Sequence, residues 1–289
     1  MSPSGETFRA AVVQLRSGRD VQANLDAVEV ALRRAAADGA DLALTPETTT
    51  LLELRTKRLF ASIEPEEGNS ALGRLTDLAR ELGIWLNIGS MAVQVAADKV
   101  ANRSYLIAPD GAVAARYDKI HMFDVDLPGG ESYRESKNYA AGSAAVVADL
   151  PWGRLGLTIC YDLRFPALYR ALAKAGAEFI TVPSAFTVQT GQAHWRTLLR
   201  ARAIETGSYL LAAAQGGAHE AGRETYGHSL IVSPWGEIVA EAGVDPCILL
   251  ADIEPAKVAE ARAKMPSLQH DRAFSISGSE QPSQIREAS

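Results

Sequence analysis

The 289-residue chain lacks several features that define large classes of proteins. It has no basic excess, because 29 Lys and Arg against 35 Asp and Glu give a formal net charge of −6. This balance argues against a partner that is a nucleic acid or an anionic membrane. No apolar run approaches the roughly 18 residues that cross a bilayer, and the N-terminus lacks the pattern of a signal peptide. We therefore expect a cytoplasmic protein.

Cysteine is scarce, and the patterns of several common active sites are missing. Two cysteines, Cys160 and Cys247, are too few for a disulfide framework and fit a reducing compartment. The five histidines show no metal-ligand spacing, which argues against a zinc site. The sequence has no Gly-x-Ser-x-Gly elbow of a serine hydrolase and no glycine-rich nucleotide or phosphate loop. We expect an enzyme that needs neither a metal nor a cofactor.

What the chain does contain is the composition of a globular protein, 47% hydrophobic and 22% charged. Short apolar runs such as Phe8–Leu15 predict strands, and they alternate with helical patterns such as Val21–Ala35. Turn residues at Pro109–Gly111 add a hairpin, so we predict an α/β fold with mixed sheets covered by helices. No composition break divides residues 1–274, which predicts a single domain. The polar tail, 275–289, is expected to be disordered or held by a partner chain.

Cys160 stands at a position that could carry chemistry. It closes the apolar run Leu155–Ile159, and Pro166 is suited to begin a helix shortly after it. A side chain at such a junction is displayed at the carboxyl end of the sheet, where α/β proteins bind ligands. The alternative is a buried cysteine that packs as a small hydrophobic residue. A thiol with a reference pKa of about 8.5 needs a base or a cation nearby to react at neutral pH.

Two charged residues occupy comparable positions. Glu47 follows the short apolar strand Leu42–Thr45, and Lys119 follows the second strand of the predicted hairpin. Each one alone is also compatible with a solvated surface charge. Together with Cys160, however, they place a base, a cation and a nucleophile at three strand ends.

The segments around these three residues resemble the nitrilase superfamily of carbon–nitrogen hydrolases. The resemblance rests on their order and context: Pro46-Glu47-Thr48, Tyr117–His121 and Cys160–Pro166. It extends from Phe8 to about Arg272. Five further segments are similar to the Nit branch, which contains the deaminated glutathione amidases and the ω-amidases: Phe123–Gly130, Tyr133–Ser136, Val182–Thr187, Thr190–Trp195 and Thr225–Ser229. The resemblance implies a four-layer αββα sandwich that forms a homodimer or a larger homo-oligomer, with the apolar helix after Cys160 as the contact surface.

The resemblance also implies a mechanism. Cys160 would attack an amide carbonyl and form a thioester, while Glu47 would move the protons. Lys119 and the backbone N–H of Tyr161 would hold the oxyanion. Glu135 matches the family's second glutamate and would orient Lys119, although Glu131 in the same loop is an alternative.

Candidates for substrate binding come from the loops after these strands, also by resemblance. They are Tyr133, Arg164, Phe165, Ser184, Phe186, Thr187, His194 and Trp195. Arg164 and His194 could pair with a substrate carboxylate. Two alternatives stay open: Arg164 bonded to Asp162, and Trp195 packed in an apolar helix face.

The expected function is therefore the hydrolysis of a small linear amide that carries a carboxylate, similar to deaminated glutathione. Alternatives within the family are an ω-amidase acting on α-keto acid amides, N-carbamoyl amino acid hydrolysis and nitrile hydrolysis. A scaffold that keeps the fold without turnover is the alternative from a different class, and the Glu47, Lys119 and Cys160 set argues against it.

Overall fold

The structure is a computed structural model that describes residues 5–128, 130–275 and 277. Its strands are β1 (Phe8–Gln14), β2 (Leu42–Leu44), β3 (Trp85–Ala96), β4 (Lys99–Ile107), β5 (Val113–Asp118), β6 (Asp124–Asp126), β7 (Ser132–Arg134), β8 (Tyr139–Ala140), β9 (Val146–Leu150), β10 (Gly153–Leu157), β11 (Phe179–Thr181), β12 (Tyr209–Ala212), β13 (Gly216–Ala218), β14 (Glu224–Tyr226), β15 (Leu230–Val232), β16 (Ile238–Glu241) and β17 (Cys247–Ile253). Its α-helices are α1 (Val21–Ala37), α2 (Thr56–Ser62), α3 (Ser70–Leu82), α4 (Pro166–Lys174), α5 (Val188–Thr206) and α6 (Ala256–Lys264). Short 3₁₀ helices cover Glu135–Lys137, Cys160–Arg164 and Ser267–Gln269.

Two large mixed sheets organise these strands. The first has the order β17-β1-β2-β3-β4-β5, with β8 paired to β4. Its β1, β2 and β3 run parallel, whereas β17 and the hairpin strands β4 and β5 pair antiparallel. The second sheet has the order β16-β15-β12-β11-β10-β9, and its β10, β11 and β12 are parallel. Crossover and hairpin connections therefore occur in both sheets, as the sequence predicts.

Burial on both faces explains why β1 reads as a continuous apolar run. Successive side chains of a strand point to opposite faces. Ala11 and Val13 pack with α1 and α3, while Ala10 and Val12 belong to the core that includes the second sheet. Helices α4 and α5 pack against that second sheet. The layers are thus helix, sheet, sheet and helix, which is the predicted four-layer αββα arrangement.

The helix after Cys160 is α4, whose apolar side chains are buried in the chain's own core. Leu168, Tyr169 and Leu172 are buried within the chain. The apolar character of α4 therefore does not call for a second subunit, and the homo-oligomer stays a prediction. Within the described part of the chain, no helix is long and apolar enough to cross a membrane. The predicted tail lies outside the described residues, except for residues 275 and 277.

Candidate active site

Three strand ends from the two sheets meet in one cavity. Glu47 follows β2 and Lys119 follows β5 in the first sheet, whereas Cys160 follows β10 in the second. The three residues line a cavity of about 280 Å³, a size suited to a small molecule. The packing of the two sheets therefore assembles a site from segments that are far apart in the sequence.

Glu47 is the centre of the hydrogen bonding in this cavity. The side chain is buried, and its Oε1 accepts hydrogen bonds from Lys119 Nζ at 2.9 Å and from Asn102 Nδ2 at 3.0 Å. Its Oε2 accepts a bond from the backbone N–H of Ala185 at 2.9 Å. Burial alone would raise the pKa of Glu47, but the Lys119 ammonium, together with the Cys160 thiol and the charge of Arg223, holds it below its usual range. Glu47 is therefore a carboxylate in the resting site.

Lys119 lies between two carboxylates. Its Nζ donates to Glu47 and also to both oxygens of Glu135, at 3.0 and 2.9 Å. Although burial opposes the charge, the charges of Glu135 and Glu47 raise the pKa of Lys119 well above its ordinary value. Glu135 also accepts the backbone N–H of Phe123 at 2.7 Å, while Glu131 accepts the hydroxyl of Tyr133 in an exposed position. The geometry thus favours Glu135 over Glu131 as the second glutamate.

Cys160 begins a 3₁₀ turn with a strained backbone. Its φ is +48°, in the left-handed region, which costs a residue other than glycine about 1–2 kcal/mol. This strained backbone lies at the junction between β10 and α4, where it places the thiol in the cavity. Burial and the nearby Glu47 carboxylate raise the pKa of Cys160, while Lys119 lowers it only in part. The thiol is therefore protonated in the resting site, where it lines the same cavity as the Glu47 carboxylate. The next residue, Tyr161, lies in the first turn, where backbone N–H groups have no acceptor within the helix.

The cavity wall includes nine of the thirteen residues that the sequence predicts for the site. Besides the four residues of the charged centre, they are Tyr133, Tyr161, Arg164, Phe186 and Thr187. The Arg164 guanidinium lies 5.6 Å from the centre of the Phe186 ring and 5.9 Å from that of Tyr161. Among the described residues Arg164 has no carboxylate within ion-pair distance, so the alternative of an Arg164–Asp162 pair is wrong.

Four of the predicted substrate-binding residues do not line the cavity. Phe165 stacks on His121, with ring centres 3.5 Å apart. Ser184 is fully buried, and its hydroxyl donates to the carbonyl of Val182. Trp195 points into the core, where its Nε1 donates to a backbone carbonyl, as the packing alternative proposed. His194 neighbours it on α5, but successive helical residues point about 100° apart.

His194 lies exposed outside the cavity, with its Nδ1 3.3 Å from the Arg164 guanidinium. Trp195 likewise lies outside the cavity and packs against the wall residue Phe186, with the two ring centres 4.8 Å apart. Both residues therefore support wall residues and do not themselves form the wall. Among the described residues, no group of three or more His, Cys, Asp and Glu side chains is arranged to hold a metal ion.

Comparison with known proteins decides the family. The model of the carbon–nitrogen hydrolase family matches residues 9–263. The chain belongs to the carbon–nitrogen hydrolase family. A deaminated glutathione amidase from Yersinia enterocolitica is 42% identical over 265 residues, which cover 91% of this chain and 92% of that protein.

Solved structures agree with this assignment to the carbon–nitrogen hydrolases. The NitFhit protein of C. elegans superimposes with a TM-score of 0.87 at 36% identity, over 94% of this chain and 66% of that one. Saccharomyces cerevisiae Nit3, a member of branch 10 of the nitrilase superfamily, gives a TM-score of 0.82 at 29% identity, over 92% and 97%. The predictions of the family and of the nitrilase-type fold are confirmed.

In this carbon–nitrogen hydrolase, Asp162 joins the cysteine turn to the lysine strand. It is fully buried and accepts the Tyr117 hydroxyl at 2.7 Å, His121 Nδ1 at 2.7 Å and the backbone N–H of Ile159 at 2.8 Å. Tyr117 and His121 flank Lys119, whereas Ile159 precedes Cys160. One buried carboxylate therefore fixes the positions of two reactive side chains relative to each other.

Gly89 on β3 allows the glutamate loop after β2 to approach the loop that follows β11. A Cβ at this position would lie 2.0 Å from the carbonyl oxygen of Thr45 and 2.5 Å from Pro183 Cβ. Pro183 in turn accepts the backbone N–H of Cys160 at 2.8 Å. Only a residue without a side chain fits between the two loops.

Sequence reasoning missed three residues of the site. Asn102 on β4 donates to both Glu47 and Glu135, at 3.0 and 3.2 Å, and its carbonyl accepts the backbone N–H of Lys119. Its strand also contains Lys99, Arg103 and Ser104, so a polar residue there gives only a weak signal. Asp162 has no separate signal, because an acidic residue in a turn after a strand is usually exposed, whereas this one is fully buried. Arg223 also lines the cavity, and nothing in its Gly-rich turn sequence distinguishes it from a surface arginine.

Proposed function

We propose that the chain hydrolyses the amide bond of a small, linear, carboxylate-bearing amide of the deaminated glutathione type, through a thioester on Cys160. The observation that carries the proposal is the buried Glu47 carboxylate, which is hydrogen-bonded to Lys119 and lines the same small cavity as the Cys160 thiol. Amide hydrolysis needs a nucleophile, a proton shuttle and a stabiliser of the oxyanion, and this group provides all three.

Attack begins with the resting protonation states. As Cys160 Sγ bonds to the amide carbonyl carbon, the thiol proton passes to Glu47, the carboxylate that lines the same cavity. Negative charge develops on the carbonyl oxygen, where Lys119 and the backbone N–H of Tyr161 are the proposed donors. Because Lys119 stays charged beside its two carboxylates, it brings a fixed positive charge to this point.

Collapse of the tetrahedral intermediate breaks the C–N bond. Glu47 returns its proton to the leaving nitrogen, which departs as an amine or ammonia, and the acyl group remains on Cys160 as a thioester. Glu47, again a carboxylate, then takes a proton from a water molecule that attacks the thioester carbonyl. As the C–S bond breaks, Glu47 returns this proton to the Cys160 sulfur, which restores the resting thiol and carboxylate. The whole cycle therefore consumes only the amide and one water molecule and yields the carboxylic acid and the amine or ammonia.

Glu135 acts in this scheme through Lys119. It holds the ammonium with both oxygens and is itself anchored by the Phe123 backbone. Without Glu135, Lys119 would interact with Glu47 alone, and the base would be bound more tightly by its cation. Glu135 is therefore proposed to position Lys119 and to share its charge.

Arg164 is proposed to bind a substrate carboxylate. It projects into the cavity from the turn that begins at Cys160, and no protein carboxylate among the described residues neutralises it. A guanidinium can bind a carboxylate through two parallel hydrogen bonds. The deaminated glutathione amidases among the relatives act on a substrate whose name implies such carboxylates, which supports this assignment.

A panel of amides tests the proposal. We expect release of amine or ammonia from deaminated glutathione, and slower release from α-keto acid amides, N-carbamoyl amino acids and nitriles. Fastest turnover of α-keto acid amides would favour the ω-amidase alternative. Absence of turnover on the whole panel, together with no thioester adduct on Cys160 by mass spectrometry, would favour the scaffold.

We also propose the cytoplasm as the location, because a catalytic thiol must remain reduced to act as a nucleophile. Assembly into a homodimer or larger homo-oligomer remains part of the proposal, and light scattering of the purified chain measures it. A monomer at catalytic concentrations would remove that part without affecting the amidase proposal.

A further inference from the structure

Arg223 is a cation in the cavity wall that the mechanism does not use. It belongs to the connection between β13 and β14, where the backbone N–H of His219 donates to the carbonyl of Arg223 at 2.8 Å. Its guanidinium donates through Nη2 to the carbonyl of Ala185 and lies 5.3 Å from the centre of the Tyr133 ring. Arg223 therefore faces the substrate space from an element other than the one that carries Arg164.

The guanidinium of Arg223 is incompletely bonded. Within the described part of the chain, its Nε is buried with no hydrogen-bond acceptor, and no carboxylate lies within ion-pair distance of it. Arg103, by contrast, is held by Glu66 and Asp118. A buried donor left unbonded is costly, so such groups are rare in native proteins and are found at functional sites among other places. An arginine in a cavity wall without a protein carboxylate as its partner is suited to bind the carboxylate of a ligand.

The hairpin that carries Arg223 is firmly attached to the cavity wall. Nδ1 of His219 lies 2.9 Å from the carbonyl of Ser17, and its Nε2 lies 2.7 Å from the hydroxyl of Thr225. The backbone N–H of Tyr226 donates to the carbonyl of Phe186 at 2.9 Å. The position of Arg223 is therefore set before a ligand binds, which reduces the entropy lost on binding.

We propose that Arg223 forms a second carboxylate subsite, separate from that of Arg164, and that the two arginines select linear amides with a carboxylate on each side of the scissile C–N bond. The inference rests on the proposed function, because it assumes that Arg164 binds the first carboxylate. Lys119 does not serve as a third subsite, since Glu47 and Glu135 already neutralise it. The pocket thus distinguishes a dianionic amide from an α-keto acid amide, which carries a single carboxylate.

The test compares Arg223→Gln and Arg164→Gln on a matched series of amides. The series contains deaminated glutathione, its analogue with the leaving-group carboxylate converted to a carboxamide, its analogue with the acyl-side carboxylate converted to a carboxamide, and an uncharged amide. Each arginine variant should lose roughly 10- to 100-fold in kcat/KM on the dianionic amide. In each variant, removal of the carboxylate that the missing arginine would bind should no longer change kcat/KM. The carboxylate concerned should differ between the two variants.

Two results would overturn the inference. In the first, Arg223→Gln impairs the uncharged amide as much as the dianionic one, which would mean that Arg223 acts through Ala185, whose N–H holds Glu47. In the second, Arg223→Gln remains sensitive to both carboxylates. Arg34→Gln is the matched control, because Arg34 pairs with Asp38 on the exposed side of α1 and should change none of these rates.

A binding measurement separates this inference from the proposed turnover. Deaminated glutathione is titrated into Cys160→Ala and into Cys160→Ala/Arg223→Gln by calorimetry. If Arg223 binds a carboxylate, the second protein binds at least about tenfold more weakly, even if the native chain hydrolyses none of the series. Equal affinities would refute the subsite while leaving the amidase proposal intact.

Discussion

The cavity has two regions that differ in construction. The floor consists of Glu47, Lys119, Glu135 and Cys160 with Asn102, and its side chains are largely buried and bonded to one another. The rim consists of Tyr133, Arg164, Phe186 and Arg223, and its two arginines have no carboxylate partner among the described residues. This difference indicates that the fold itself fixes the chemistry of the floor. The rim is left to be completed by a substrate.

The contrast predicts different kinetics for the two regions. Floor substitutions should lower kcat, because the floor acts on the bond that breaks. Rim substitutions should raise KM and change the choice of substrate, because the rim interacts with parts that do not react.

The largest expected effect comes from the nucleophile. Cys160→Ala should lower kcat by roughly 10⁴-fold or more, since covalent catalysis is lost and only binding and polar stabilisation remain. Cys247→Ala is the matched control, because Cys247 lies exposed at the start of β17 and should leave kcat unchanged. Steady-state amine release measures both. Similar activity in the two variants would contradict the assignment.

A smaller effect should follow from loosening the floor without touching its reactive groups. Asp162→Asn keeps the shape of the side chain but replaces one carboxylate oxygen by an NH₂ group. That group cannot accept the hydrogen bonds that Tyr117, His121 and Ile159 donate to Asp162. We expect a loss of about 2 kcal/mol in unfolding free energy and roughly 10- to 100-fold in kcat, with little change in KM.

Denaturant unfolding and steady-state kinetics measure this pair of effects. Asp149→Asn, at an exposed residue paired with Arg154, is the control and should alter neither. A loss of stability with full kcat would mean that Asp162 supports the fold alone.

The rim predicts a milder change. Phe186→Leu removes the ring over which Arg164 lies, so KM for the carboxylate-bearing amide should rise roughly 2- to 5-fold at nearly constant kcat. Full Michaelis curves on charged and uncharged amides measure it. If kcat fell instead, the division between floor and rim would not hold at this residue.

The smallest expected effect is that of mild acid. The pKa of Glu47 is held below the ordinary 4.5, so the base stays ionised as the pH falls through the mildly acidic range. We expect kcat/KM to change by less than about twofold between pH 7 and pH 5, and to fall only below the ordinary glutamate pKa. Tryptophan fluorescence recorded at the same pH values shows whether the chain remains folded. A loss of activity centred near pH 6 in folded protein would place the base elsewhere.

The difference between floor and rim also explains what the sequence could predict. Glu47, Lys119 and Cys160 each follow a regular strand, and strand ends are placed by hydrophobic patterning that is visible in the sequence. Glu135 could not be separated from Glu131, because the two flank the short strand β7 and only the contacts of Glu135 with Lys119 and the Phe123 backbone distinguish them.

The rim was predicted less completely for the same physical reason. Arg223 lies in a hairpin connection whose His219 contacts the carbonyl of Ser17, and these two segments are distant in the chain. His194 and Trp195 were misplaced because the orientation of α5 decides which of its faces is buried, and Trp195 points into the core. Local sequence patterns carry no information about such contacts.

The most direct test of the central claim measures Glu47→Gln in a Cys247→Ser background, where Cys160 is the remaining cysteine. In the proposed mechanism the Glu47 carboxylate takes the thiol proton, and at rest its charge raises the pKa of Cys160. The variant should therefore lose roughly 10³-fold or more in amide turnover, while its thiol, followed by thiolate ultraviolet absorbance, titrates at a lower pH than in the parent. Retained turnover, or a thiol that titrates at the same or a higher pH, would contradict the account.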